Sequence, residues 1–334
     1  MKLKRLGRTG LKVSEICLGT MTFGNQCDEP ASHAIMDKAF EHGVTFFDTA
    51  DVYPLGGGLA RTGRTEEFVG TWLKGRREQI VLATKFFGRM GDGPNDAGGS
   101  RKHILQAVEA SLRRLQTDYI DLYQMHAPDY ETPLDETLRA LDDLVRSGKV
   151  RYVGCSNYPA WLLTKGLWIS DKLGLARFDC VQPRYNLLFR HIEAELFPLV
   201  VDQGIGVISY NPLAGGMLTG RYQAGQALQE GTRFALQNAG PIYRARYWQE
   251  ATMQAVDQFK QVCGERNVSV TQVALAWVLA QPAVTSAIVG ASSAEQLDQS
   301  LPAVALKLDE GLLAICDDIW YQLPRERSKD VAFR

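Results

Sequence analysis

Short apolar runs alternate with longer amphipathic segments along most of this chain. Eight runs have the length and composition of buried strands, and nearly all are followed by apolar residues at helical spacing. The strand candidates are ICLGTM, TFFDTA, IVLATK, YIDLYQMH, VRYVGCSN, FDCVQPRY, GVISYNP and SAIVGA. Because strands and helices alternate strictly, we predict a parallel sheet whose strands are joined by crossover helices.

The same periodicity predicts the helices and the flanking segments. Helices are expected over about 31–42, 65–74, 102–115, 134–147, 159–173, 192–203 and 293–300. KLKRLGRTGLKV predicts an N-terminal β-hairpin, and a long irregular stretch is expected after GVISYNP. Near the C-terminus, a stripe at helical spacing predicts an extra helix packed on the rest of the fold: Leu308, Leu312, Ile315 and Ile319.

Two folds satisfy this alternation, a closed eight-stranded barrel and an open doubly wound sheet. Eight units in 334 residues, with polar side chains at nearly every strand end, favour an α/β fold of the (β/α)8 TIM-barrel type. The open sheet predicts G-x-G-x-x-G after an early strand, whereas the GGG at 56–58 is followed by Leu-Ala-Arg. No low-complexity linker divides the chain, so we expect one domain over residues 1–334.

Composition narrows the class of protein. A net charge of −1 argues against a nucleic-acid partner, and no apolar segment approaches the roughly 20 residues of a membrane span. The N-terminal MKLKRLGRTG has no apolar stretch behind it, so we expect a cytoplasmic protein. Six cysteines without a Cys-x-x-Cys pair indicate buried, reduced thiols and no metal site.

Four chemically active side chains stand at the ends of successive strand candidates: Asp48, Tyr53, Lys85 and His126. In a barrel of parallel strands these ends share one rim, so the four side chains can meet around one pocket. A phenol, an ammonium, a carboxylate and an imidazole together can transfer protons, which indicates an enzyme. The alternatives are an ordinary ion pair between Lys85 and Asp48, a loop aromatic at Tyr53 and a core histidine at His126.

Several longer motifs then point to a family. They are LGRTGLKVSEICLGTMTFG, FFDTADVY, the Thr-Lys at 84–85, GCSNY, YNPLAGGMLTGRY and IVGASSAEQLDQS, in this order on the predicted strands. This set resembles the aldo-keto reductases, in the branch that contains the potassium-channel β subunits. The resemblance implies a (β/α)8 barrel that binds NADP(H) without a Rossmann fold and reduces a small carbonyl substrate.

The resemblance also implies the catalytic roles. Tyr53 would be the general acid in reduction and the general base in the reverse direction. Lys85 would lower the pKa of Tyr53 toward the working range, while Asp48 would keep Lys85 charged and in place. His126 would orient the carbonyl oxygen or relay protons.

The cofactor contacts are carried over from the same family. Ser156, Asn157 and Gln182 match positions that bind the nicotinamide carboxamide, and Tyr210 matches the aromatic residue that stacks on the nicotinamide ring. The backbone from Asn211 to Gly215 matches the segment around the pyrophosphate. The full expected set is Gly19, Thr20, Met21, Asp48, Ser156, Asn157, Gln182, Tyr210, Asn211, Pro212, Leu213, Ala214, Gly215, Arg221, Arg233, Gly290, Ser292, Gln296 and Ser300.

The choice between NADPH and NADH depends on two arginines. Many members of the family place Lys or Arg beside the 2′-phosphate in the last loop, yet this chain has Gly-Ala-Ser-Ser at 290–293. Arg221 and Arg233 are the nearby cations, and they favour NADPH if they contact that phosphate. The alternative is that both are solvated.

The substrate is expected to be an aldehyde or a ketone, without a closer identity. Aromatic residues expected at the mouth, besides Tyr53, are Phe23, Phe86, Phe87 and Tyr130. The loops at 54–64, 87–100 and 222–247 are expected to set specificity, and the last two are expected to order on cofactor binding. The first loop carries Arg61 and Arg64 and is either part of the mouth or a flexible connector.

A second function remains open, that of a nicotinamide-binding regulatory or assembly subunit with little turnover. The channel subunits of the family typically carry asparagine where this chain has His126, and they have a long N-terminal extension that this chain lacks. Both differences favour a working reductase. Relatives range from monomers to octamers, so a homo-oligomer is compatible with the sequence.

Overall fold

An antiparallel hairpin closes the bottom of the structure. In the computed structural model, which describes residues 1–223, 225–228 and 230–324, strand β1 (Leu3–Arg5) pairs with β2 (Lys12–Ser14). The fully buried side chains of Leu6 and Val13 cover an apolar cluster built from the strands that follow. The predicted N-terminal hairpin is therefore confirmed.

Eight parallel strands form a closed barrel above the hairpin. They are β3 (Ile16–Gly19), β4 (Phe46–Asp48), β5 (Val81–Phe86), β6 (Ile120–Met125), β7 (Val150–Ser156), β8 (Phe178–Gln182), β9 (Gly206–Ser209) and β10 (Ser286–Gly290). They are arranged in chain order around the ring, and β10 pairs with both β9 and β3. The predicted (β/α)8 TIM barrel is confirmed.

Helices surround the barrel. They are α1 (Glu29–Glu41), α2 (Arg64–Trp72), α3 (Arg101–Leu115), α4 (Leu134–Arg146), α5 (Ala160–Leu173), α6 (Leu196–Gln203), α7 (Gly240–Tyr247), α8 (Glu250–Glu265), α9 (Val270–Ala280), α10 (Ala294–Ser300) and α11 (Glu310–Tyr321). Several begin at a side chain that accepts a hydrogen bond from the first turn, such as Asp28 from Ala31 N at 3.0 Å. The predicted helix bounds agree to within a few residues.

One prediction about the chain after β9 is wrong. The irregular stretch ends near residue 240, and three helices, α7, α8 and α9, occupy most of the remainder up to β10. In α8 the buried side chains of Met253, Val256, Phe259 and Cys263 recur at helical spacing. Helix α9 is apolar on nearly all sides, because it lies between α8 and α10, and so it shows little periodicity.

The extra C-terminal helix packs where it was expected. Leu312, Cys316 and Ile319 of α11 are buried against the main core, and the helix contacts α8 and α9. The six cysteines are all buried and free of disulfides. No helix in the described part of the chain is long and apolar enough to cross a membrane.

Strand alternation divides the barrel interior into two layers. Phe46, Ala83, Leu122 and Cys180 form part of the apolar cluster above the hairpin. Two residues further along each of these strands, and so on the same inward face, stand the polar side chains of Asp48, Lys85, Gln124 and Gln182. The apolar layer fills the lower half of the barrel, and the polar layer forms the floor beneath its carboxyl-terminal mouth.

Candidate active site

A buried ammonium lies at the centre of the polar floor. Lys85, at 0% exposure, donates from Nζ to Asp48 Oδ2 at 2.5 Å, to Thr49 O at 2.8 Å and to Tyr53 OH at 3.4 Å. Burial lowers the pKa of Lys85, but Asp48 and Tyr53 outweigh it and leave the pKa above its usual value. Lys85 is therefore charged at neutral pH, with three oxygens for its three donors.

Tyr53 stands between this ammonium and the open cavity. Burial raises the pKa of Tyr53, the Lys85 charge lowers it, and burial is the larger effect, so the pKa lies above its usual value. Lys85 lowers the pKa of Tyr53, as predicted, but the pKa does not fall below its usual value because desolvation of the phenolate outweighs the attraction. Tyr53 is consequently a protonated phenol at neutral pH.

His126 follows β6 directly and faces Tyr53. The two rings lie edge to face, with their centroids 5.7 Å apart and an angle of 81° between their planes. The backbone N–H of His126 donates to Phe86 O at 2.9 Å, which fixes the residue at the strand end. Burial and the Lys85 charge lower the pKa of His126 to about 3. The imidazole is therefore neutral, which suits hydrogen bonding to an oxygen better than proton relay.

The second oxygen of Asp48 is held by two amides. Asp48 Oδ1 accepts from Gln182 Nε2 at 2.9 Å and from Gln124 Nε2 at 3.2 Å. Gln124 was missed at the level of sequence, although the alternation of β6 contains the signal. It stands two residues before His126, hence on the same inward face, as a polar residue between Tyr123 and Met125.

A second hydrogen-bonded group lies beside the floor. Ser156 Oγ donates to Gln182 O at 2.8 Å, and Asn157 Nδ2 donates to His126 O at 2.9 Å. Tyr210 OH donates to Asn157 Oδ1 at 2.8 Å. Asn157 adopts a left-handed φ of 61°, a conformation that asparagine tolerates better than most residues. These contacts connect the ends of β6, β7, β8 and β9.

One cavity of about 660 Å³ opens over all these groups at the carboxyl ends of the strands. Its walls contain most of the residues predicted for catalysis and cofactor binding: Gly19, Thr20, Met21, Asp48, Tyr53, His126, Ser156, Asn157, Gln182, Tyr210, Asn211, Pro212, Leu213, Gly215, Arg221, Arg233, Gly290, Ser292 and Gln296. Residues distant in sequence thus meet at one rim, as the strand-end pattern predicts.

Three predicted site residues are not in the cavity wall. Lys85 lies behind Tyr53 and reaches the site through it. Ala214 is buried in the turn after β9. Ser300 is at the far end of α10, where its Oγ donates to Gln296 O at 3.4 Å, so the helix directs it away from the cavity.

The aromatic mouth differs from the predicted one. Phe86 follows the inward Lys85, so alternation turns it outward, where it stacks on Tyr123 with centroids 4.9 Å apart. Phe23 is buried, Tyr130 is exposed, and neither these two nor Phe87 is in the cavity wall. Tyr243 of α7 takes their place.

Helix α7 can reach the site because the segment after β9 has a glycine, and so no side chain, at the point where Tyr243 contacts it. Gly215 has a φ of 71°, and a Cβ there would lie 2.7 Å from Tyr243 Cδ1. The predicted specificity loop at 222–247 thus contains an ordered helix, while Ala224 and Gln229 in it lie outside the described residues. In the loop at 54–64, Leu55, Gly56, Gly58, Leu59 and Thr62 line the cavity, but Arg61 and Arg64 do not.

Behind the floor lies a second polar group that faces the helices. The backbone N–H of Asp51 donates to Lys85 O at 3.1 Å, yet both of its carboxylate oxygens lack a partner among the described residues. The hydroxyls of Thr49 and Tyr123 are also buried and unpartnered there. Burial and the nearby Glu66 carboxylate raise the pKa of Asp51 well above its usual value. This shift favours the protonated, neutral form of the Asp51 carboxyl.

Comparisons with known proteins cover nearly the whole barrel. The family model described as the aldo/keto reductase family matches residues 15–321. The chain is 42% identical to the uncharacterized oxidoreductase YrpG of Bacillus subtilis, over 96% of each chain. It is 39% identical to a probable voltage-gated potassium channel subunit beta of Arabidopsis thaliana, over 91% of each. A versiconal hemiacetal acetate reductase of Aspergillus parasiticus is 34% identical, over 92% of this chain and 94% of its own.

The raised pKa of Asp51 predicts an unusual pH dependence of stability. A raised folded-state pKa means that stability is lost as pH rises above about 3.9, the usual aspartate pKa, toward the folded pKa. Asp51→Asn removes this loss, so we expect the variant to have a higher thermal midpoint than the parent at pH 8. The difference between the two midpoints should shrink as the pH is lowered toward 4.

Asp129 is the matched control, because its folded-state pKa is shifted in the opposite direction to that of Asp51. Hydrogen bonds from Thr132, Gly99 and Glu131 outweigh burial and lower the pKa of Asp129. The contribution of the Asp129 carboxylate to stability is present at neutral pH and is lost as pH falls through its folded-state pKa. Asp129→Asn should therefore lower the stability of the protein at pH 8. Thermal midpoints from pH 4 to 8 test both variants; an Asp51→Asn protein that is less stable at pH 8 would contradict the assignment.

Proposed function

This chain belongs to the aldo/keto reductase family and is an oxidoreductase, and we propose that it reduces an aldehyde or ketone to the alcohol with NADPH. The family and its kinship with potassium-channel β subunits were predicted from the sequence and are confirmed. The observation that carries the proposal is Tyr53, a protonated phenol facing a large cavity with the charged Lys85 behind it. We also propose that residues 1–334 form one domain, because the family match runs from the first barrel strand into α11.

The walls of the cavity fit a nicotinamide cofactor. A hydroxyl and two amides, those of Ser156, Asn157 and Gln182, stand at neighbouring strand ends and suit a planar carboxamide. Tyr210 offers a ring held by its hydrogen bond to Asn157, and the turn from Asn211 to Gly215 offers backbone for a pyrophosphate. When bound there, the reduced cofactor supplies a hydride to the carbonyl carbon.

Two arginines support NADPH over NADH. Arg221 and Arg233 line the same cavity as Ser292 and Gln296. Arg221 donates from Nε to Thr219 Oγ1 at 3.0 Å, which directs its side chain along the wall. Neither arginine forms an ion pair with a carboxylate within the described ranges, so both charges are available to a phosphate.

Tyr53 is the proposed proton donor. As the carbonyl accepts hydride, charge develops on its oxygen, and a phenol with a buried ammonium behind it can both stabilise and protonate that oxygen. Lys85 makes Tyr53 a stronger acid than burial alone would leave it, and Asp48 keeps Lys85 in place. The neutral imidazole of His126, against the Tyr53 ring, would donate a second hydrogen bond that orients the oxygen.

The similarity to a protein named as a channel β subunit supports a second candidate, a cofactor-binding assembly or regulatory subunit. Repeated turnover of a reactive aldehyde separates the two. A working reductase oxidises many equivalents of NADPH per chain with 4-nitrobenzaldehyde, whereas a protein that stops near one equivalent would support the subunit function.

Tyr53→Phe tests the proton donor. The substitution keeps the ring and removes the hydroxyl, so NADPH binding should persist while turnover falls by about 10²–10⁴. Steady-state turnover with 4-nitrobenzaldehyde and an NADPH titration by protein fluorescence measure the two effects. Tyr130→Phe, at an exposed tyrosine outside the cavity, is the control and should match the parent. Turnover of Tyr53→Phe within about threefold of the parent would mean that the proton comes from elsewhere.

The double variant Arg221→Ala, Arg233→Ala tests the cofactor preference. Loss of both cations should weaken NADPH binding about tenfold or more and leave NADH binding nearly unchanged. Added salt should likewise reduce the parent's preference for NADPH over NADH. Arg61→Ala removes a cation outside the cavity and should leave both cofactors unaffected. Equal losses for NADPH and NADH would rule out a role of these arginines at the 2′-phosphate.

A further inference from the structure

A cation lies across the cavity from the arginines proposed for the cofactor. Strands β5 and β9 are four places apart in either direction around the ring of eight, so their loops face each other across the mouth. Arg221 and Arg233 follow β9, whereas Arg89 follows β5, and all three line the same cavity. Arg89 is thus far around the rim from the proposed phosphate sites and lies on the side of Tyr53 and His126.

The loop that carries Arg89 lies directly against the Tyr53 segment. A Cβ on Gly88 would lie only 2.1 Å from Val52 Cγ1, so the absence of a side chain at Gly88 permits this close approach. Val52 precedes Tyr53 and lines the cavity with Pro54. Arg89 therefore enters the cavity wall beside the proposed proton donor.

The loop also holds the guanidinium in a defined orientation. Asp96 closes the loop: its Oδ2 accepts from Gly93 N at 2.8 Å and its backbone O accepts from Met90 N at 2.8 Å. Arg89 Nη1 donates to Gly91 O at 3.1 Å and to Gly93 O at 3.0 Å. Within the described chain these bonds use Nη1 alone, so the edge formed by Nε and Nη2 keeps its three donors.

Arg89 forms no direct ion pair in the described part of the protein, and the Asp96 carboxylate of its own loop is bonded to Gly93 N. The carboxylate in the cavity wall is that of Asp48, and it is neutralised by Lys85. Val52, which contacts the Arg89 loop at Gly88, and Pro54 flank Tyr53 in the cavity wall, and both are apolar. An apolar surface that ends in an oriented guanidinium edge suits an organic molecule with an anionic group some distance from its reacting atom.

We propose that Arg89 determines substrate class: the carbonyl compound carries a carboxylate or phosphate that pairs with its Nε–Nη2 edge while the C=O lies at Tyr53. This inference rests on the proposed reductase function. It concerns ground-state binding and positioning, so the anion contributes to kcat/KM without taking part in the transfer of hydride or proton.

Two aldehydes of nearly equal shape test the proposal. 4-Carboxybenzaldehyde carries the anion, and methyl 4-formylbenzoate is its neutral ester. We expect the parent to prefer the acid in kcat/KM, and Arg89→Gln to lower kcat/KM for the acid by about tenfold or more while the ester changes little. Arg89→Lys should retain part of the preference, because it keeps the charge and loses the planar edge. Arg61→Gln is the control at an exposed arginine outside the cavity and should behave as the parent.

Binding measured apart from turnover keeps the inference distinct from the reductase proposal. Calorimetry in the presence of NADP⁺ measures the affinity of 4-(hydroxymethyl)benzoate, the alcohol product, which should fall in Arg89→Gln and not in Arg61→Gln. Absence of turnover with both aldehydes would contradict the reductase function alone if this Arg89-dependent binding persists. A parent without preference for the acid, an equal loss for acid and ester, or a loss confined to NADPH affinity would overturn the role of Arg89.

Discussion

The arrangement of the site depends on one positive charge kept away from water. A buried, uncompensated ammonium costs several kcal/mol, so Lys85 requires oxygens in fixed positions around it. Asp48 supplies the opposite charge, and its other oxygen is in turn held by Gln124 and Gln182. Because β4, β5, β6 and β8 each contribute one member, satisfying this charge fixes four strand ends relative to one another.

The same charge sets the protonation of both neighbours that face the cavity. It adds to burial in lowering the pKa of His126, and it opposes burial at Tyr53. The result is an imidazole that is neutral and a phenol that keeps its proton, side by side above the polar floor of the barrel. Such a pair can donate two hydrogen bonds to one oxygen. Of the two groups, only the phenol has a charged group behind it.

The barrel and the meeting of the four strand-end residues could be predicted from the sequence, because alternation and strand-end position depend on local pattern. Gln124 and the outward turn of Phe86 were accessible to the same alternation rule, had it been applied to each strand position in turn. The approach of Tyr243 to Gly215 could not be predicted, since it depends on how α7 packs after a long irregular segment. The place of Arg89 likewise follows from a contact between Gly88 and Val52, which sequence spacing does not encode. The direction of the Tyr53 pKa depends on the balance of burial against the Lys85 charge, and only the packed structure gives that balance.

The protonation states of Tyr53 and His126 are the central claim, and the pH dependence of a single turnover tests it most directly. Enzyme saturated with NADPH is mixed with excess 4-nitrobenzaldehyde, and the first oxidation of NADPH is followed between pH 6 and pH 9.5. A rate that stays nearly constant across this range is expected, because the pKa of Tyr53 lies above its usual value and that of His126 lies near 3. A step near pH 6.5 would show a histidine that titrates in the site, and a decline between pH 7 and pH 8 would show a phenol that has already lost its proton; either result would contradict the assignment.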